Sequence, residues 1–473
     1  MNDFSNFISN ASNVLWNSVL LFLLCGSGIW FTLTLGFVQI RRFGIGWNKL
    51  FGGMFSKSGK ATKEEGMSSF QAVATAIAAQ VGTGNIAGAA TAIAAGGPGA
   101  IFWMWLAAFF GMATIYAEAL MAQKYKTTID GQVTGGPVYY IRAAFKGRAG
   151  KIMAGAFAVF ITLALGFMGT GVQANSIAAS FQTAFGFRPL IVGIVLAVVS
   201  FFVFAGGITR IASVTEKLVP FMAVCYIAGS LIVLVIHAPA LPSALASIFV
   251  GAFAPKAIAG GVIGVTVQKA VRFGVARGLF SNEAGMGSTP HAHAVAKVAH
   301  PGDQGCVAIV SVFIDTFLIL TMTALVVLTS GTVTRDGSLT GTALSQAAYS
   351  TVFGNFGNVF IAICLLFFAF STIIGWYFFA EQNIKYLFGT KAVKPFAFIV
   401  CACIILFSTL RVELVWSMAD FFNGLMVIPN LLALLALSGV IRKVSGEYDV
   451  IVRNRRNKEA AERFTGKAAE QES

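Results

Sequence analysis

Residues 82–87, with the sequence Gly-Thr-Gly-Asn-Ile-Ala, formally match the glycine fingerprint that cradles a dinucleotide pyrophosphate. That fingerprint needs a strand before it and an acidic residue about 20 positions after it. Residues 72–79 are instead an alanine-rich run typical of a helix, and no Asp or Glu occurs between Glu65 and Glu118. A nucleotide loop is therefore excluded, and the two glycines interrupt an apolar helix.

An interruption of this kind frees backbone groups that can bind ions. Each glycine beside Thr83 weakens helix formation by roughly 1 kcal/mol. The freed amides of the second half-helix point their positive end at an anion, and the freed carbonyls of the first half coordinate a cation. Gln80, Thr83 and Asn85 add polar side chains at the same point. Glycines that only permit close helix packing are the alternative, but these polar residues favour a binding site.

A second polar stretch, RGLFSNEAGMGSTP, interrupts another apolar run at residues 277–290. Transporters with paired broken helices show such an interruption at corresponding positions of their two halves. The residues that mark it are Ser281, Asn282, Glu283, Gly285, Gly287 and Ser288. The sequence therefore predicts two broken helices that build one site.

The elements that must position these residues are apolar helices. Of the 473 residues, 57% are hydrophobic and only 11% are charged, which is too apolar for a soluble enzyme of this length. Runs of about 20 apolar residues recur along the whole chain. The sequence predicts an all-α membrane protein with eleven transmembrane helices, near 14–40, 68–95, 99–122, 152–185, 189–208, 213–237, 262–299, 304–330, 356–388, 395–411 and 414–441.

The basic residues lie between these segments and not in one patch, so the net charge of +14 does not indicate a nucleic-acid partner. They concentrate after the first and third segments and in the tail, which places the N-terminus outside and the C-terminus in the cytoplasm. Counted from the second segment, five helices follow five, and each set begins with a broken helix. The expected parts are an extra N-terminal helix (1–40), a cytoplasmic basic loop (41–67), two five-helix repeats (68–238 and 239–441) and a cytoplasmic charged tail (442–473).

Four passages carry a family resemblance: VGTGNIAGAA, TGGPVYYI, RGLFSNEAGMGS and GWYFFAEQNIKYLFG. They resemble the alanine or glycine:cation symporter family, whose members are similar in fold to the LeuT-type amino-acid transporters. The resemblance extends from about residue 15 to about residue 440. It implies a LeuT-type 5+5 inverted-repeat core with one extra N-terminal helix.

The resemblance also implies roles for individual residues. The sodium ligands would be the carbonyls of Ala78 and Val81 with the hydroxyls of Ser371 and Thr372. Two adjacent alcohols suit a hard cation, which favours oxygen ligands, although membrane hydroxyls also bond back to their own helix. Gln80 and Asn85 would form a second ion site, but Gln80 departs from the small residue usual in that pattern.

The substrate implied by the resemblance is a small neutral amino acid, alanine or glycine. The amides around Thr83 and Gly84, with Gln173, would receive its carboxylate, and bulky residues would limit its size. Core packing would explain these bulky residues equally well: Phe167, Met168, Met286, Phe370 and Trp376. The predicted substrate-binding set is Thr83, Gly84, Asn85, Phe167, Gln173, Ser281, Asn282, Glu283, Gly285, Met286 and Trp376.

Two acidic residues keep alternatives open. Glu283 is a candidate for the substrate ammonium, but a structural ion pair or hydrogen bonds within its loop would explain it as well, because intramembrane carboxylates are costly unless paired. Asp315, near the middle of the eighth segment, could relay protons, so a proton-coupled transporter of related fold is the alternative function. His291 and His293 have no Cys or carboxylate at ligand spacing, so no metal site is expected there.

The resulting expectation is a sodium symporter that works by alternating access in the plasma (inner) membrane, in contact with the lipid bilayer. Its functional unit is expected to be a monomer, with sodium as coupling ion and no cofactor. Neither the metalloprotease, nucleophile-elbow nor Walker A motif occurs, so the protein is not expected to be an enzyme.

Overall fold

A computed structural model describes residues 2–54, 66–254, 266–334, 338–410 and 412–471. The helices of the first half are α1 (Asn2–Leu15), α2 (Leu21–Thr34), α3 (Val38–Arg41), α4 (Phe43–Met54), α5 (Ser69–Gln80), α6 (Ala89–Gly96), α7 (Gly99–Lys124), α8 (Pro137–Ala144), α9 (Gly147–Ile161), α10 (Thr170–Phe185), α11 (Pro189–Ala205) and α12 (Gly207–Ile236). Those of the second half are α13 (Leu241–Phe253), α14 (Val267–Asn282), α15 (Pro290–Ala294), α16 (Pro301–Val312), α17 (Thr321–Thr329), α18 (Gly341–Phe353), α19 (Asn355–Phe388), α20 (Val393–Ser408), α21 (Val412–Ala436) and α22 (Ser438–Gln471).

Shorter elements connect these helices. Wider π-helical turns lie at Trp16–Leu20, Gly84–Gly88, Thr162–Gly169 and Phe313–Leu320, and 3₁₀ turns at Ala238–Ala240 and Thr390–Ala392. The strands are β1 (Met67–Ser68), β2 (Thr127–Ile129), β3 (Gln132–Thr134) and β4 (Ala296–Lys297). β2 and β3 form an antiparallel hairpin, whereas β1 pairs in parallel with β4. The β1–β4 pair joins the residues before α5 to those after α15, so it ties the two interrupted helices together at one end.

Seven helical stretches in the described part of the chain are long and apolar enough to cross a membrane: Gly99–Lys124, Gly147–Phe185, Gly207–Ile236, Pro301–Thr329, Asn355–Phe388, Thr390–Ser408 and Val415–Ala436. The other predicted segments coincide with α2, α11 and the two interrupted pairs, α5 with α6 and α14 with α15. Those helices are shorter, so the number eleven stays a prediction.

The predicted basic loop 41–67 is partly helical. α4 occupies its first part, and residues 55–65 lie outside the described residues. α4 packs closely on α16, because a Cβ at Gly46 would lie 2.0 Å from the carbonyl oxygen of Cys306. The predicted charged tail forms α22, whose buried Tyr448 donates a 2.8 Å hydrogen bond to Asp303. Both segments therefore dock on the bundle.

The first broken helix begins at a capping box. The Ser68 hydroxyl accepts from the Gln71 amide, and the Gln71 side chain accepts from the Ser68 amide. α5 then ends at Gln80, Val81 is extended, and helical structure resumes in the π-helical turn that starts at Gly84. The interruption therefore lies at the two glycines where the sequence predicts it.

The second broken helix is interrupted over a longer stretch. α14 ends at Asn282, and Glu283 caps it in the left-handed region with φ +57°. Gly285 and Gly287, with φ +89° and +81°, continue the turn in conformations that a side chain would strain. The helix resumes at Pro290, a residue suited to a first helical position because it lacks an amide hydrogen.

Candidate functional site

The first cluster of the site consists of two side-chain hydroxyls against two freed carbonyls. Thr372 Oγ1 lies 3.0 Å from the carbonyl oxygen of Ala78 and 3.4 Å from that of Val81, and Ser371 Oγ lies 3.1 Å from Ala78 O. Both hydroxyls also lie within 3.1 Å of the Phe368 carbonyl on their own helix. The structure thus brings the four predicted sodium-site residues together, as a set of buried, uncharged oxygens of the kind a hard cation favours.

This cluster depends on glycines that allow α5 and α19 to approach. A Cβ at Gly82 would lie 2.3 Å from Thr372 Oγ1 and 3.1 Å from Gln173 Oε1. A Cβ at Gly375 would lie 2.8 Å from the Cβ of Ala79. The glycines therefore serve close packing as well as the break, so the two interpretations of the glycine pair are not exclusive.

Beside this cluster, the break presents unpaired donors. The Thr83 amide donates to Gln173 Oε1 at 3.1 Å, and the Gly82 amide donates to Asn85 Oδ1 at 2.9 Å. The Thr83 hydroxyl and the Gln173 Nε2 group are buried and lack hydrogen-bond partners. A buried polar group without a partner costs free energy, so this point suits a ligand that accepts hydrogen bonds, such as a carboxylate.

The two breaks touch each other. A Cβ at Gly84 would lie 2.9 Å from Ser281, so only a glycine permits this approach. The Gln80 amide group donates to the carbonyl of Asn282 at 2.7 Å, while Gln80 Oε1 is buried without a partner. Residues from both predicted stretches therefore form one continuous site.

Asp315 lies where the two breaks meet. Its Oδ1 accepts hydrogen bonds from Asn85 Nδ2 at 2.6 Å and from the Ser281 hydroxyl at 2.9 Å, and its Oδ2 accepts from Thr316 at 2.8 Å. Thr316 in turn accepts from Asn282 at 3.1 Å. Within the described residues, no Lys, Arg or His side chain pairs with this carboxyl group.

Glu118 on α7 organises the second break, and the sequence reasoning missed it. Its carboxylate accepts from the amides of Gly285 and Gly287 at 3.0 and 2.9 Å and from Asn430 Nδ2 at 2.7 Å. The residue is fully buried. An acid inside an apolar segment is itself a signal of function, and it could have identified this position.

Glu283 fixes the position of the Trp376 ring by a hydrogen bond. Its Oε1 accepts from Trp376 Nε1 at 2.5 Å, and its other oxygen accepts from the Ser288 hydroxyl. The Trp376 ring meets Phe280 edge-on with 5.6 Å between centroids, and a Cβ at Gly169 would lie 2.5 Å from that ring. Both Glu283 oxygens thus have protein donors, which favours the predicted alternative of hydrogen bonds within the site over direct substrate contact.

The other predicted pocket residues differ in their surroundings. Met286 is buried inside the second break, whereas Phe167, Met168 and Phe370 are half-buried and pack on the core. The Phe167 ring contacts Phe396 at 5.7 Å and lines an apolar cavity of about 370 Å³ beside α20. Core packing therefore describes these three half-buried residues better than contact with the breaks.

The two histidines serve separate hydrogen-bond pairs. His291 Nδ1 lies 2.7 Å from the Ser288 carbonyl, and its Nε2 lies 2.8 Å from Asn383. His293 Nδ1 lies 2.9 Å from Gln304 Oε1. Within the described residues, no group of three or more metal-binding side chains contains them.

Each broken helix makes a polar contact with a neighbouring helix away from its break. Arg277 of α14 pairs with Asp420 of α21, and its guanidinium lies 4.7 Å from the ring centre of Trp416. Gln71 of α5 donates to Glu216 of α12 at 2.9 Å. Thr83, Asn85, Ser281 and Glu283 have no exposed surface. The site is therefore enclosed by the described residues.

Comparisons with known proteins identify this architecture. Residues 1–462 match the family model of the sodium:alanine symporter family. The sodium/alanine symporter AgcS of Methanococcus maripaludis is 42% identical over 456 residues, which cover 96% of this chain and 99% of that protein. The probable sodium/glutamine symporter GlnT of Bacillus subtilis is 40% identical over 444 residues, which cover 94% and 90% of the two chains. The fold is similar to the crystal structure of MhsT in complex with L-phenylalanine, with a TM-score of 0.57 over 81% of this chain and 98% of that chain at 15% identity.

Proposed function

The chain belongs to the sodium:alanine symporter family, and from this we propose that it couples sodium influx to the uptake of alanine or glycine by alternating access. Its family and relatives are transporters, so the protein is a multi-pass membrane transporter and not an enzyme. The observation that carries the proposal is the pair of unpaired donors, Thr83 Oγ1 and Gln173 Nε2, beside the hydroxyl pair of α19. An anionic group and a cation can therefore bind side by side.

In this proposal, sodium binds among Ala78, Val81, Ser371 and Thr372, with neutral ligands only. The substrate carboxylate accepts hydrogen bonds from Thr83 and Gln173, which are buried and otherwise unpaired. Residues 78 and 81 supply the sodium ligands, and the Thr83 amide bonds to Gln173. The short segment 78–83 therefore contacts both the sodium ion and the substrate carboxylate. Binding of one thus orders the segment that the other needs, which couples their affinities.

In this proposal, transport requires the two contacts of the broken helices, Arg277–Asp420 and Gln71–Glu216, to open in turn. Each of these contacts involves one broken helix, since α14 carries Arg277 and α5 carries Gln71. Bound ion and substrate hold the breaks together and favour passage through the closed state.

A second cation site at Asp315 is part of the proposal. The Ser281 hydroxyl supplies a further oxygen there. Of the two predicted ligands, Asn85 donates to Asp315 through Nδ2, and Gln80 Oε1 is buried without a partner. A buried carboxyl group without a counter-charge is costly, and a cation would supply that charge. If a proton neutralises it instead, the protein is the proton-coupled transporter of related fold.

We also propose the arrangement in the membrane. The extra N-terminal helix 1–40 precedes two inverted five-helix repeats, 68–238 and 239–441, and the functional unit is a monomer in the plasma (inner) membrane. The N-terminus lies outside, and the loop 41–67 and the tail 442–473 lie in the cytoplasm, since basic residues concentrate in these parts.

The proposed function is tested by uptake of radiolabelled alanine and glycine into proteoliposomes that contain the purified protein. An inward sodium gradient should drive accumulation without ATP, because the site holds ligands for a cation and no nucleotide motif occurs in the sequence. Choline in place of sodium, with pH held constant, should abolish accumulation. Equal uptake in choline would refute sodium coupling, and accumulation driven by a pH gradient alone would support the proton-coupled alternative.

Substitution of Thr372 by alanine should raise the sodium concentration for half-maximal uptake about tenfold or more. It removes one of the four oxygens proposed to coordinate the cation, and a tenfold change in affinity corresponds to about 1.4 kcal/mol. Thr91→Ala is the matched control, since the Thr91 hydroxyl bonds back to Ala87 on its own helix at 2.8 Å. An unchanged sodium dependence of the Thr372 variant would place the ion elsewhere.

Substitution of Trp376 by alanine should allow valine and leucine to compete with alanine uptake. The ring is held by Glu283 against Phe280, and removing it enlarges the site. An added methylene in a tight pocket shifts discrimination by about 1–3 kcal/mol. Trp30→Ala serves as control because Trp30 is 48% exposed on the outer surface. Identical competition profiles would make Trp376 part of the scaffold and leave selectivity to residues 281–287.

A further inference from the structure

A second cavity, of about 460 Å³, lies outside the transport site. It lies between the end of α11, the first turn of α20 and the β2–β3 hairpin, and α19 forms its inner wall with Tyr377 and Glu381. Glu381 is nine residues beyond Thr372 on the same helix, about 14 Å at 1.5 Å per residue. The volume is within the range of small-molecule binding sites, about 300–1,000 Å³.

Two buried polar atoms at this cavity have no partner. The Tyr377 hydroxyl belongs to a residue with 0% exposure, and Glu381 Oε2 to one with 4%. The other Glu381 oxygen is paired with Lys385 Nζ at 2.7 Å. Tyr377 and Glu381 are four residues apart on α19, so their side chains lie on one helix face. A hydroxyl and a carboxylate oxygen together suit a ligand with N–H donors, an ammonium group above all.

The cavity is also lined by a basic residue and by aromatic rings. Lys394 is exposed and, among the described residues, has no ion-pair partner. Phe201 and Phe398 form an apolar wall, with 4.9 Å between their ring centres. Phe398 is 62% exposed on a helix long and apolar enough to cross the membrane, so this wall continues onto the lipid-facing surface. The cavity thus offers an acceptor, a cation and an apolar exit in one place.

We propose that this cavity binds the head group of an aminophospholipid of the phosphatidylethanolamine type. The primary ammonium lies between Glu381 and Tyr377, the phosphate lies at Lys394, and an acyl chain leaves along Phe201 and Phe398. The free carboxylate oxygen selects against purely anionic lipids, and both acceptors select against a trimethylammonium group, which has no N–H donor. The cavity is at the end of the bundle with the β2–β3 hairpin, where helices meet the head-group region of a bilayer.

The test is lipid retention by the full-length protein, measured by native mass spectrometry in detergent. Purified protein is incubated separately with dioleoyl phosphatidylethanolamine, phosphatidylcholine and phosphatidylglycerol. We expect one phosphatidylethanolamine per protein and much weaker retention of the other two, since a trimethylated nitrogen has no N–H donor and glycerol has no charge for Glu381. Equal retention of all three lipids would overturn the proposal.

Variants identify the site. Glu381→Gln should lower retention of phosphatidylethanolamine at least about tenfold, because it removes a charge-assisted hydrogen bond. Tyr377→Phe removes only the hydroxyl oxygen and keeps the ring stacked on Phe204, so it tests the site even where the Glu381 variant folds poorly. Glu447→Gln, at an exposed position of α22, is the control. Retention unchanged in both cavity variants would overturn the assignment.

The alternative role of this cavity is to form part of a water-filled path for the transported cation. In that case Glu381→Gln would change the sodium dependence of alanine uptake in vesicles of pure phosphatidylcholine. The lipid proposal expects the variant and the parent to have equal sodium dependence in those vesicles, and to differ only when phosphatidylethanolamine is added. A change in pure phosphatidylcholine would refute the lipid site and leave the proposed symport unaffected.

Discussion

Substitution of Gly82 by alanine should reduce sodium-driven alanine uptake at least about a hundredfold. The added Cβ would lie 2.3 Å from Thr372 Oγ1, whereas ordinary contacts begin at 3.4 Å, so the hydroxyl must move by roughly 1 Å. Displacement of an aligned group by 1 Å costs about a hundredfold in function in enzymes, and a cation ligand is equally sensitive to position. The same Cβ would press on Gln173 Oε1 at 3.1 Å, so the proposed carboxylate site is disturbed as well.

The control for this variant is Gly88→Ala, four residues after Gly84 on the same broken helix. A Cβ at Gly88 would meet only the carbonyl oxygen of Thr83, at 3.8 Å, which is ordinary contact. Its uptake should remain close to that of the parent. Fluorescence-detected size-exclusion chromatography in detergent separates loss of function from loss of fold, because overpacking alone costs about 1–3 kcal/mol. Normal uptake by a well-folded Gly82 variant would show that the α5–α19 contact is not a transport site.

The positions of both breaks were predictable because their signal is local. A glycine pair or a run of polar residues within an apolar segment cannot be reconciled with a lipid-facing helix. The start of α5 is equally local, since Ser68 and Gln71 have the spacing of a capping box. The junction of the two breaks is not local, because the contact of Gly84 with Ser281 joins residues far apart in sequence.

Phe167 shows why it was harder to predict which side of a helix faces the core. The stretch around it is apolar on all sides, so no hydrophobic stripe indicates which face turns inward. It also contains the π-helical turn Thr162–Gly169, which rotates the following residues relative to a regular helix. The structure turns the Phe167 ring to Phe396 and places Gly169, two residues later, against Trp376. A helical wheel drawn from the sequence alone misses this rotation.

Glu118 was missed for a different reason. Its position inside the third apolar segment was visible, but its partners are the amides of Gly285 and Gly287, which are free only because the second helix is broken there. A carboxylate that accepts several backbone hydrogen bonds can be buried without a counter-charge. Interpretation of this acid therefore required the broken loop and α7 to be placed together in space.

Substitution of Asp315 by asparagine should reduce concentrative alanine uptake at least about tenfold and change its sodium dependence from sigmoidal to hyperbolic. The carboxyl group accepts from Asn85, Ser281 and Thr316, and at this meeting point of both breaks it offers the one formal negative charge among the proposed cation ligands. Its neutral replacement keeps the size and one acceptor oxygen, but it weakens a second cation site by the loss of charge. The charge moved per alanine, measured on solid-supported membranes, should fall by one.

The control is Asp130→Asn, since this acid accepts a hydrogen bond from Thr390 at 2.9 Å and lies in the turn of the β2–β3 hairpin, away from both breaks. A proton relay gives a different result at Asp315. In that case uptake by the parent would depend on the pH gradient at fixed sodium, and the variant would lose that dependence while its sodium dependence kept its shape. Because the hyperbolic sodium curve and the lost pH response exclude each other, the two measurements together decide which cation Asp315 binds.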